Sequence, residues 1–260
     1  MPKTRRRSAT DVLYPVTTIV LVVLAWEAVT RLTATPPYAL PAPSDVLAEL
    51  ARQWAVLLHN ALSTTLAILA GFTLSVVVGI ALALLITTST LFEKSIYPLL
   101  IGSQAIPKLA LAPLFVLWFG FGLLPKVLMT FLISVFPIVV STVQGISSVE
   151  TELEFLARSM GLGEYRTFWM IRFHRALPSI FAGLKVAITL AVVGAVVGEF
   201  VGSDRGLGTL LLRAIGVVNT PLLFAGLIVL TALAIVLFAL IELLELLAIP
   251  WHVSQRARSA

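Results

Sequence analysis

Long apolar runs dominate this sequence and constrain its fold more than any other feature. Several of them reach the roughly 20 residues that a helix needs to cross a bilayer. The mean hydropathy is +1.03, and 59% of the 260 residues are hydrophobic while 12% are charged, which is more apolar surface than a soluble domain of this size buries. Because the runs are continuous rather than alternating, they favour helices over β-barrel strands. The sequence therefore predicts an all-α integral membrane protein.

Six transmembrane helices are predicted, with ends placed to within a few residues. They run from Val12 to Leu32, Ala61 to Ile86, Ile96 to Phe119, Val127 to Ile146, Ile180 to Val201 and Leu222 to Ile249. Pro98, Pro107 and Pro113 interrupt the third helix, and Pro250 ends the sixth. The chain is predicted to begin with a basic cytoplasmic tail (1–11), a first transmembrane helix (12–33) and an external linker (34–59), which contains a surface helix at Ser44–Leu58. A core transmembrane domain follows (60–250) and includes a cytoplasmic loop (147–176). A cytoplasmic C-terminal tail (251–260) completes the predicted plan.

The distribution of Lys and Arg predicts the orientation, because cytoplasmic loops carry more of them. If the N-terminus is inside, the inner side carries Lys3, Arg5, Arg6, Arg7, Lys94, Arg158, Arg166, Arg172, Arg175, Arg256 and Arg258. The outer side then carries Arg31, Arg52, Lys126, Arg205 and Arg213. Both termini are therefore predicted to be cytoplasmic. A cleaved signal peptide is the alternative for the first run, but Glu27 and the lack of a small-residue cleavage site oppose it.

Several kinds of chemistry are not supported by the sequence. It has no cysteine, which excludes disulfides and thiolate sites, and its histidines, His59, His174 and His252, are scattered. The pI near 9.9 would suit nucleic acid, but the basic residues flank membrane spans. No phosphate-binding G-x-x-x-x-G-K-[S/T] motif occurs. The Gly-rich stretch GSDRGLG (202–208) lacks the Lys-Ser/Thr pair, so we interpret it as an external turn.

The cytoplasmic loop concentrates charge in an otherwise apolar chain. Residues 150–175 contain Glu150, Glu152, Glu154, Arg158, Glu164, Arg166, Arg172 and Arg175. A short helix is indicated, because Leu153, Leu156, Ala157 and Met160 fall on one face at helical spacing, and Gly161 follows them. Its apolar face could meet a partner protein. It could equally lie on the lipid surface with Phe168 and Trp169 as anchors, and periodicity alone does not decide between the two.

The segment GISSVETELEFLARSMGLGEYRTFWMIRFHRALPSIFAGLK (145–185) resembles the EAA loop of binding-protein-dependent ABC importer permeases. The matching positions are Ala157, Arg158, Ser159, Gly161, Leu177 and Pro178. At Phe155 the family usually has a glutamate, and here the nearest acid is Glu154, one residue earlier. IPKLALAPLFVLWFGFG (106–122) and VVGEFVGSDRGLGTLL (196–211) resemble the nitrate/taurine/sulfonate branch of these permeases. The resemblance covers residues 58–251 and implies a type I, MetI-like permease fold.

This resemblance implies a permease subunit of an ATP-driven importer in a bacterial inner membrane, and not an enzyme. Its cytoplasmic loop would dock as a coupling helix on an ATPase subunit through Glu154, Phe155, Ala157, Arg158, Ser159, Gly161, Leu162 and Tyr165. The implied partners are two ABC ATPase subunits, a periplasmic or lipid-anchored binding protein, a second permease subunit (as a homodimer) and the bilayer, without nucleic acid. ATP and Mg would bind the ATPase, and no cofactor is expected on this chain. The solute would be of the nitrate, sulfonate or taurine class, or a related organic or vitamin-precursor solute.

Ionisable and small residues within the spans are candidates for a pathway or gate. Lys108 could line a pathway, or it could bond carbonyls that the proline-broken helix leaves free. Glu199 could lie at an outer gate, or it could pair with Arg205 or Arg213. The ladder of Gly194, Gly198 and Gly202 could form a subunit interface or gate, or it could serve packing within one subunit. Glu242 and Glu245 are interpreted as a polar helix end at the membrane surface.

A self-contained secondary transporter is the alternative function. It would need its own ion-coupling site and usually internal repeats, and we find no convincing repeat between the two halves of the sequence. A membrane scaffold without transport activity is a third possibility. Copurification with an ATPase subunit, and uptake that stops when this ATPase is disabled, would distinguish the permease from both.

Overall fold

The computed structural model describes residues 9–250, without the side chains of residues 9–12, 15 and 151, and the regular elements in this range are all helical. Most of the predicted N-terminal tail and the whole C-terminal tail lie outside the described residues. The helices are α1 Ala9–Leu32, α2 Pro43–Arg52, α3 Trp54–Thr88, α4 Thr90–Gly102, α5 Ala112–Phe119, α6 Leu123–Ser147, α7 Thr151–Ser159, α8 Glu164–Thr167, α9 His174–Gly202, α10 Leu207–Gly216 and α11 Thr220–Ala248. Short 3-10 turns cover Ser103–Ala105 and Lys108–Leu111, and a π-helix covers Phe168–Phe173.

Within residues 9–250, four helices are long and apolar enough to cross a membrane: Trp54–Thr88, Leu123–Ser147, Glu164–Gly202 and Thr220–Ala248. A fifth span results if the bent pair formed by Thr90–Ala105 and Lys108–Phe119 counts as one. The second, fourth, fifth and sixth predicted spans are thereby confirmed as helices. The first predicted span is the 24-residue helix α1, which is not one of these four, so the total of six remains a prediction.

The third predicted span is not one straight helix. Its two parts meet at an angle of 89°, and the break lies at Pro107, whose ψ of 90° is extended. Pro107 has no N–H to continue the helical ladder, and its ring disfavours a helical residue before it. Pro113 lies in the first turn of α5, where proline is tolerated, and Pro98 lies inside α4. A broken segment therefore replaces the predicted helix over 96–119.

The predicted surface helix over 44–58 is also divided. α2 ends at Arg52, Gln53 leaves the helical conformation with φ −100° and ψ 15°, and α3 begins at Trp54. Val46 of α2 is 1% exposed and packs with Leu57 of α3 and Leu207 of α10. α2 therefore packs against one end of the bundle, and its predicted position along the membrane surface remains a prediction.

α6 and α9 pack together closely because glycines line their contact. A Cβ added at Gly194 would lie 2.7 Å from Thr130 Cα, and one added at Gly198 would lie 2.7 Å from Lys126 Cα. At Gly202 the neighbour is Val116 of α5, whose Cγ2 would be 2.2 Å away. The glycine ladder thus faces helices of the same chain, which is the packing alternative, and a gating role for it remains a prediction.

α8, the π-helix and α9 follow one another without a break and make a 39-residue helix, Glu164–Gly202, which we call the long helix. At 1.5 Å per residue it measures about 58 Å, nearly twice the thickness of a hydrocarbon core. The predicted fifth span, 180–201, lies within its second half. The second part of the predicted cytoplasmic loop is therefore a helical extension of this span.

Candidate functional site

α7 and the turn that follows it form the first part of the candidate site, which we call the coupling segment (residues 150–165). α7 ends in a Schellman motif, in which the Leu162 N–H donates to the Ala157 carbonyl at 3.0 Å and the Gly161 N–H donates to the Arg158 carbonyl at 3.0 Å. Gly161 has φ +82°, a conformation that side chains with a Cβ rarely adopt. This glycine therefore turns the chain from α7 into the long helix.

Two ion pairs fasten α7 to the long helix. Arg172 donates from Nε and Nη2 to the two carboxylate oxygens of Glu154, at 2.6 and 2.5 Å. Arg158 Nη2 lies 3.6 Å from Glu164 Oε1. The hydrogen bond from Arg172 lowers the pKa of Glu154 below its ordinary value, because it stabilises the ionised carboxylate. Glu154, the acid nearest the family's usual glutamate position, therefore makes an intrachain polar contact.

Among the predicted coupling residues, one side chain is buried and several are exposed. Ala157 is 3% exposed and anchors α7, whereas Phe155 is 65% and Tyr165 is 78% exposed. Two further exposed apolar side chains on the same segment are Leu156 and Met160. Ser159 turns its hydroxyl back to the Leu156 carbonyl at 2.7 Å. An exposed apolar surface on a charged segment of this kind is typical of a protein interaction site.

A cavity of about 480 Å³ separates the coupling segment from the C-terminal end of α3. Thr87 and Thr88 of α3 form one wall, and Phe168, Trp169 and Arg172 of the long helix form another. Trp169 packs edge-on against Phe168, with ring centroids 5.4 Å apart. α7 is thus supported by the long helix instead of being buried among the spans.

The second part of the candidate site lies at the opposite end of the long helix and centres on Glu199. This residue is 1% exposed. Its Oε1 accepts a hydrogen bond from the Thr64 hydroxyl at 2.8 Å, and its Oε2 accepts one from the Gly208 N–H at 2.7 Å. Lys126 Nζ lies 3.8 Å from Oε1, and both side chains are almost completely buried. Glu199 therefore faces the protein interior instead of an open passage, and its predicted role at a gate remains untested.

The turn at 203–208, which the sequence indicated as a simple external loop, is held at successive backbone groups by side chains of α3 and α6. The Arg205 carbonyl accepts from Lys126 Nζ at 2.7 Å. The Gly206 N–H donates to Asn60 Oδ1 at 2.9 Å, and the Leu207 N–H donates to Thr64 Oγ1 at 2.8 Å. These acceptors satisfy the free N–H groups at the start of α10, whose positive end also favours the nearby carboxylate.

The glycines of this turn are required by the position of Glu199. Gly206 has φ +136°, and a Cβ added there would lie 2.1 Å from Glu199 Oε1. A Cβ at Gly208 would lie 3.0 Å from Glu199 Oε2. The Gly-rich pattern therefore fits close approach of a buried carboxylate to the backbone and needs no phosphate ligand.

Lys126 is a site residue that the sequence interpretation missed. It was counted as an external basic residue, but it is 3% exposed inside the first turn of α6. The partners expected for Glu199 were wrong as well. Arg213 donates to the Asp204 carbonyl at 2.7 Å, and Arg205 contributes its backbone carbonyl to Lys126. The sequence signal that could have identified Lys126 is its position four residues after Gly122, at the start of an apolar run.

Two other ionisable residues of the spans lie apart from Glu199. Lys108 is at the break between α4 and α5, where its ammonium donates to Gln104 and lies 5.5 Å from the centre of the Phe136 ring. Glu245 is 3% exposed and forms an ion pair with Lys185 of α9. The side chain of Glu245 therefore packs inside the bundle, and its predicted position at the membrane surface, like that of Glu242, remains a prediction.

Comparison with known proteins agrees with this geometry. The family described as the inner membrane component of binding-protein-dependent transport systems matches residues 75–247. The formylaminopyrimidine transport permease protein ThiX of Halalkalibacterium halodurans is 38% identical over 94% of this chain and 97% of its own length. The riboflavin transport system permease protein RibX of Chloroflexus aurantiacus is 38% identical over 91% of this chain and 89% of its own length. The taurine transport system permease protein TauC of Escherichia coli is 28% identical over 90% of this chain and 88% of its own length.

Among solved structures, a chain from inward-facing conformations of the MetNI methionine ABC transporter has the same fold. The TM-score is 0.62 with 16% sequence identity, over 80% of this chain and 97% of that chain. At this identity the likeness concerns the fold alone, which is MetI-like as the resemblance implied. The family match and the 38% identical relatives show that this chain belongs to the family of binding-protein-dependent transport system inner membrane components.

Proposed function

We propose that this chain is the permease subunit of an ATP-driven importer that moves a small solute into the cytoplasm. The observation that carries the proposal is the coupling segment, in which Glu154 and Arg172 hold α7 on the end of a helix that continues through the membrane span. Its exposed apolar residues, Phe155, Leu156 and Met160, suit the groove of an ATPase subunit. Force applied there would reach the spans through a continuous helix.

Similarity to named relatives supports a solute class. The two relatives at 38% identity are named for formylaminopyrimidine and riboflavin, both nitrogen-containing ring compounds, whereas the relative named for taurine is 28% identical. We therefore propose a vitamin or vitamin precursor with such a ring as the solute. The nitrate, sulfonate and taurine class is the alternative, and the separate binding protein would make most of the selection.

The proposed assembly contains two copies of this chain in the inner membrane, two ATPase subunits below and one binding protein outside. Both termini would face the cytoplasm. ATP and Mg would bind only to the ATPase subunits, and the Gly-rich turn at 203–208 would take no nucleotide because Glu199 fills the space beside its backbone.

The proposed cycle follows from differential binding. ATP would favour a state in which the two ATPase subunits close and draw the two coupling segments together, and the loaded binding protein would favour a state open to the outside. Each ligand shifts the conformational equilibrium only by its difference in affinity for the two states. Hydrolysis would return the spans to the inward-facing state and release the solute.

Copurification and reconstituted uptake test the proposal. The chain is coexpressed with a candidate ABC ATPase subunit, purified by a tag on the permease and placed in vesicles with a candidate binding protein. We expect the ATPase to be retained and uptake to require ATP, with a variant ATPase that binds but does not hydrolyse ATP as the control. Uptake driven by an ion gradient without the ATPase would support the secondary transporter instead, and stable insertion without any uptake would support the scaffold.

The solute class has a separate test in the binding protein. Its thermal unfolding is measured with riboflavin, formylaminopyrimidine, taurine and nitrate, because a ligand that binds the native state raises the unfolding temperature. We expect a shift with a ring compound and none with taurine or nitrate. A shift with taurine or nitrate alone would overturn the proposed class without touching the permease assignment.

A further inference from the structure

Lys108 differs from the other lysines that are at least partly buried in the described residues. Lys126 lies 3.8 Å from a carboxylate oxygen of Glu199, and Lys185 forms an ion pair with Glu245. Lys108 is half-buried and takes part in no ion pair among residues 9–250. An ionisable side chain within a membrane span is costly and commonly marks a functional site, so this lysine needs an explanation.

The position of Lys108 corresponds to the middle of a span. Its ammonium lies 5.5 Å from the centre of the Phe136 ring, and Phe136 is the 14th of the 25 residues of α6. Because α6 is long and apolar enough to cross a membrane, its middle residues fall near the centre of the hydrocarbon core. Lipid tails offer no hydrogen-bond partner to an ammonium at this depth.

The backbone beside Lys108 gives an independent reason to place water or protein there. The segments Thr90–Ala105 and Lys108–Phe119 meet at 89°, and we call residues 103–108 between α4 and α5 the corner. Ser103 and Gln104 are exposed on it. Non-helical backbone occurs at membrane depth only where it is buried in protein or lines a water-filled cavity. The exposed side of the corner therefore faces a polar passage or another protein surface instead of lipid.

The polar groups that the corner offers to a ligand are hydrogen-bond donors. The Lys108 ammonium donates to Gln104 Oε1, which leaves further N–H groups on the ammonium and both amide N–H groups of Gln104. Without a carboxylate to neutralise the ammonium, the corner keeps a positive charge. The face of the Phe136 ring lies on one side of this charge and supplies an apolar surface. This combination suits a ring compound or small anion that presents an oxygen atom as acceptor.

We propose that Lys108 and Gln104 form a solute-binding site halfway along the import pathway, where they bind an anionic or ring-carbonyl oxygen of the passing solute. This inference rests on the proposed function and adds a contact inside the membrane to the selection made by the binding protein. Basic side chains select solutes in the same way in anion-conducting pores. A solute whose only polar groups are cationic finds no partner at the corner.

The first test measures the charge of the corner without any solute. The chain contains no cysteine, so Ser103→Cys places a single thiol on the corner of the full chain in lipid vesicles. Its modification rates are measured with 2-sulfonatoethyl methanethiosulfonate, an anion, and 2-(trimethylammonio)ethyl methanethiosulfonate, a cation. We expect both reagents to react from water. Lys108→Met in the same chain should lower the ratio of the anion rate to the cation rate about threefold or more, because a local positive charge raises the concentration of anions.

Val77→Cys is the matched control for access from water. Val77 is 63% exposed in an apolar stretch of α3, so we expect a thiol there to react with neither charged reagent. A Ser103→Cys chain that reacts with neither reagent would overturn the inference, and so would a rate ratio that Lys108→Met leaves unchanged.

The second test measures import by the assembled transporter in vesicles. Riboflavin is the probe with ring carbonyls and taurine the probe with an anionic sulfonate, and the readout is solute imported per ATP hydrolysed. We expect Lys108→Met to lower this value about fivefold or more, because the solute loses a charged donor, and Lys108→Arg to retain at least half. Lys94→Met is the matched control, since it removes an exposed lysine of α4 outside the corner and should import as wild type.

Wild-type import per ATP in the Lys108→Met transporter would overturn the inference, and so would an equal loss in the Lys94→Met control. A loss with taurine alone would identify an anionic oxygen as the ligand, whereas a loss with riboflavin would identify a ring carbonyl. A wild-type assembly without any ATP-dependent import would instead contradict the proposed function. The reagent test does not depend on the ATPase, so the two failures are distinguishable.

Discussion

Glu154 and Arg172 are 18 residues apart in the sequence, yet their side chains share two hydrogen bonds of 2.6 and 2.5 Å. One residue belongs to α7 and the other to the π-helix within the long helix. π-Helical turns are rare and often occur at functional positions. Here the bulge coincides with the point where the coupling segment is fastened to the helix that would carry its movement.

Separating this pair should weaken the hold of α7. Arg172→Glu places two like charges together, and Glu154→Arg does the same with the opposite sign. The pair is partly exposed, so we expect each single change to cost about 1 kcal/mol, or about a fivefold loss in affinity for the ATPase. The exchange variant carrying both changes should recover most of this affinity in titrations of the detergent-purified chain. Failure of the exchange to recover any binding would contradict the pairing.

The same pair should make the stability of the folded chain depend on pH. Arg172 lowers the pKa of Glu154 in the folded chain. The ionised Glu154 therefore contributes fully to stability above the unfolded-state pKa of about 4.3, and this contribution is lost as pH falls through the lower pKa of the folded chain. Thermal unfolding of wild type and Glu154→Gln should therefore differ at pH 7, and the difference should shrink as pH falls below about 4. A difference between the two proteins that grows as pH falls would contradict this interaction.

The exposed apolar side chains of the coupling segment should govern ATPase association. Leu156→Asp and Met160→Asp place charge on side chains that are 56% and 74% exposed, so the free chain should fold normally while an apolar contact is lost. We expect at least a tenfold reduction in ATPase copurified with the tagged chain. Val217→Asp, at a 73% exposed position at the other end of the bundle, is the matched control. Undiminished copurification with both the Leu156→Asp and the Met160→Asp chains would place the docking surface elsewhere.

The contact between α6 and α9 predicts a strong dependence on side-chain size. Gly194→Ala adds a Cβ that would be 2.7 Å from Thr130 Cα, a backbone atom that cannot move without shifting the helix. We expect a loss of about 1–3 kcal/mol, as for other overpacked contacts. Gly102→Ala meets nothing within 4 Å and should be neutral or slightly stabilising. Thermal unfolding in detergent compares the two, and equal melting temperatures would contradict the close helix contact.

A strained residue offers a stabilising change. Val218 has φ +56° in the turn that ends α10, where its N–H donates to the Ile215 carbonyl at 3.0 Å. A β-branched residue in the left-handed region costs about 1–2 kcal/mol, which glycine avoids. Val218→Gly should therefore raise the melting temperature, whereas Val217→Gly, at φ −103°, should lower it or leave it unchanged. The reverse order would show that the turn is not strained at 218.

The positions of the long spans could be predicted from sequence because hydropathy is a local property. The helices Leu123–Ser147 and Thr220–Ala248 agree with the predicted fourth and sixth spans to within a few residues at each end. The short helix α7 and the turn at Gly161 could also be predicted, since their charge and their glycine differ sharply from the surrounding apolar runs, whereas the coupling role of this segment remains a prediction. Its resemblance to a known loop decided between a partner surface and a lipid-bound helix.

The pairing of buried charges could not be predicted in the same way. Whether Lys126 faces water or Glu199 depends on the rotation of α6 about its axis against α9, which is set by where glycines allow contact. Likewise, Lys185 and Glu245 lie on different helices, and only their packing brings them together. The break at Pro107 was indicated by composition, but its 89° angle depends on the contacts of α5 with α6 and α9.

The bent segment formed by α4 and α5 also has a consequence for biogenesis. Its two helical parts contain 13 and 8 residues, and neither reaches the roughly 20 that the insertion machinery recognises as a membrane-spanning helix. Carbonyl and amide groups freed at its corner need protein or water around them. If this segment forms one span, its place in the bilayer would depend on neighbouring helices, so we expect it to enter only after they have inserted.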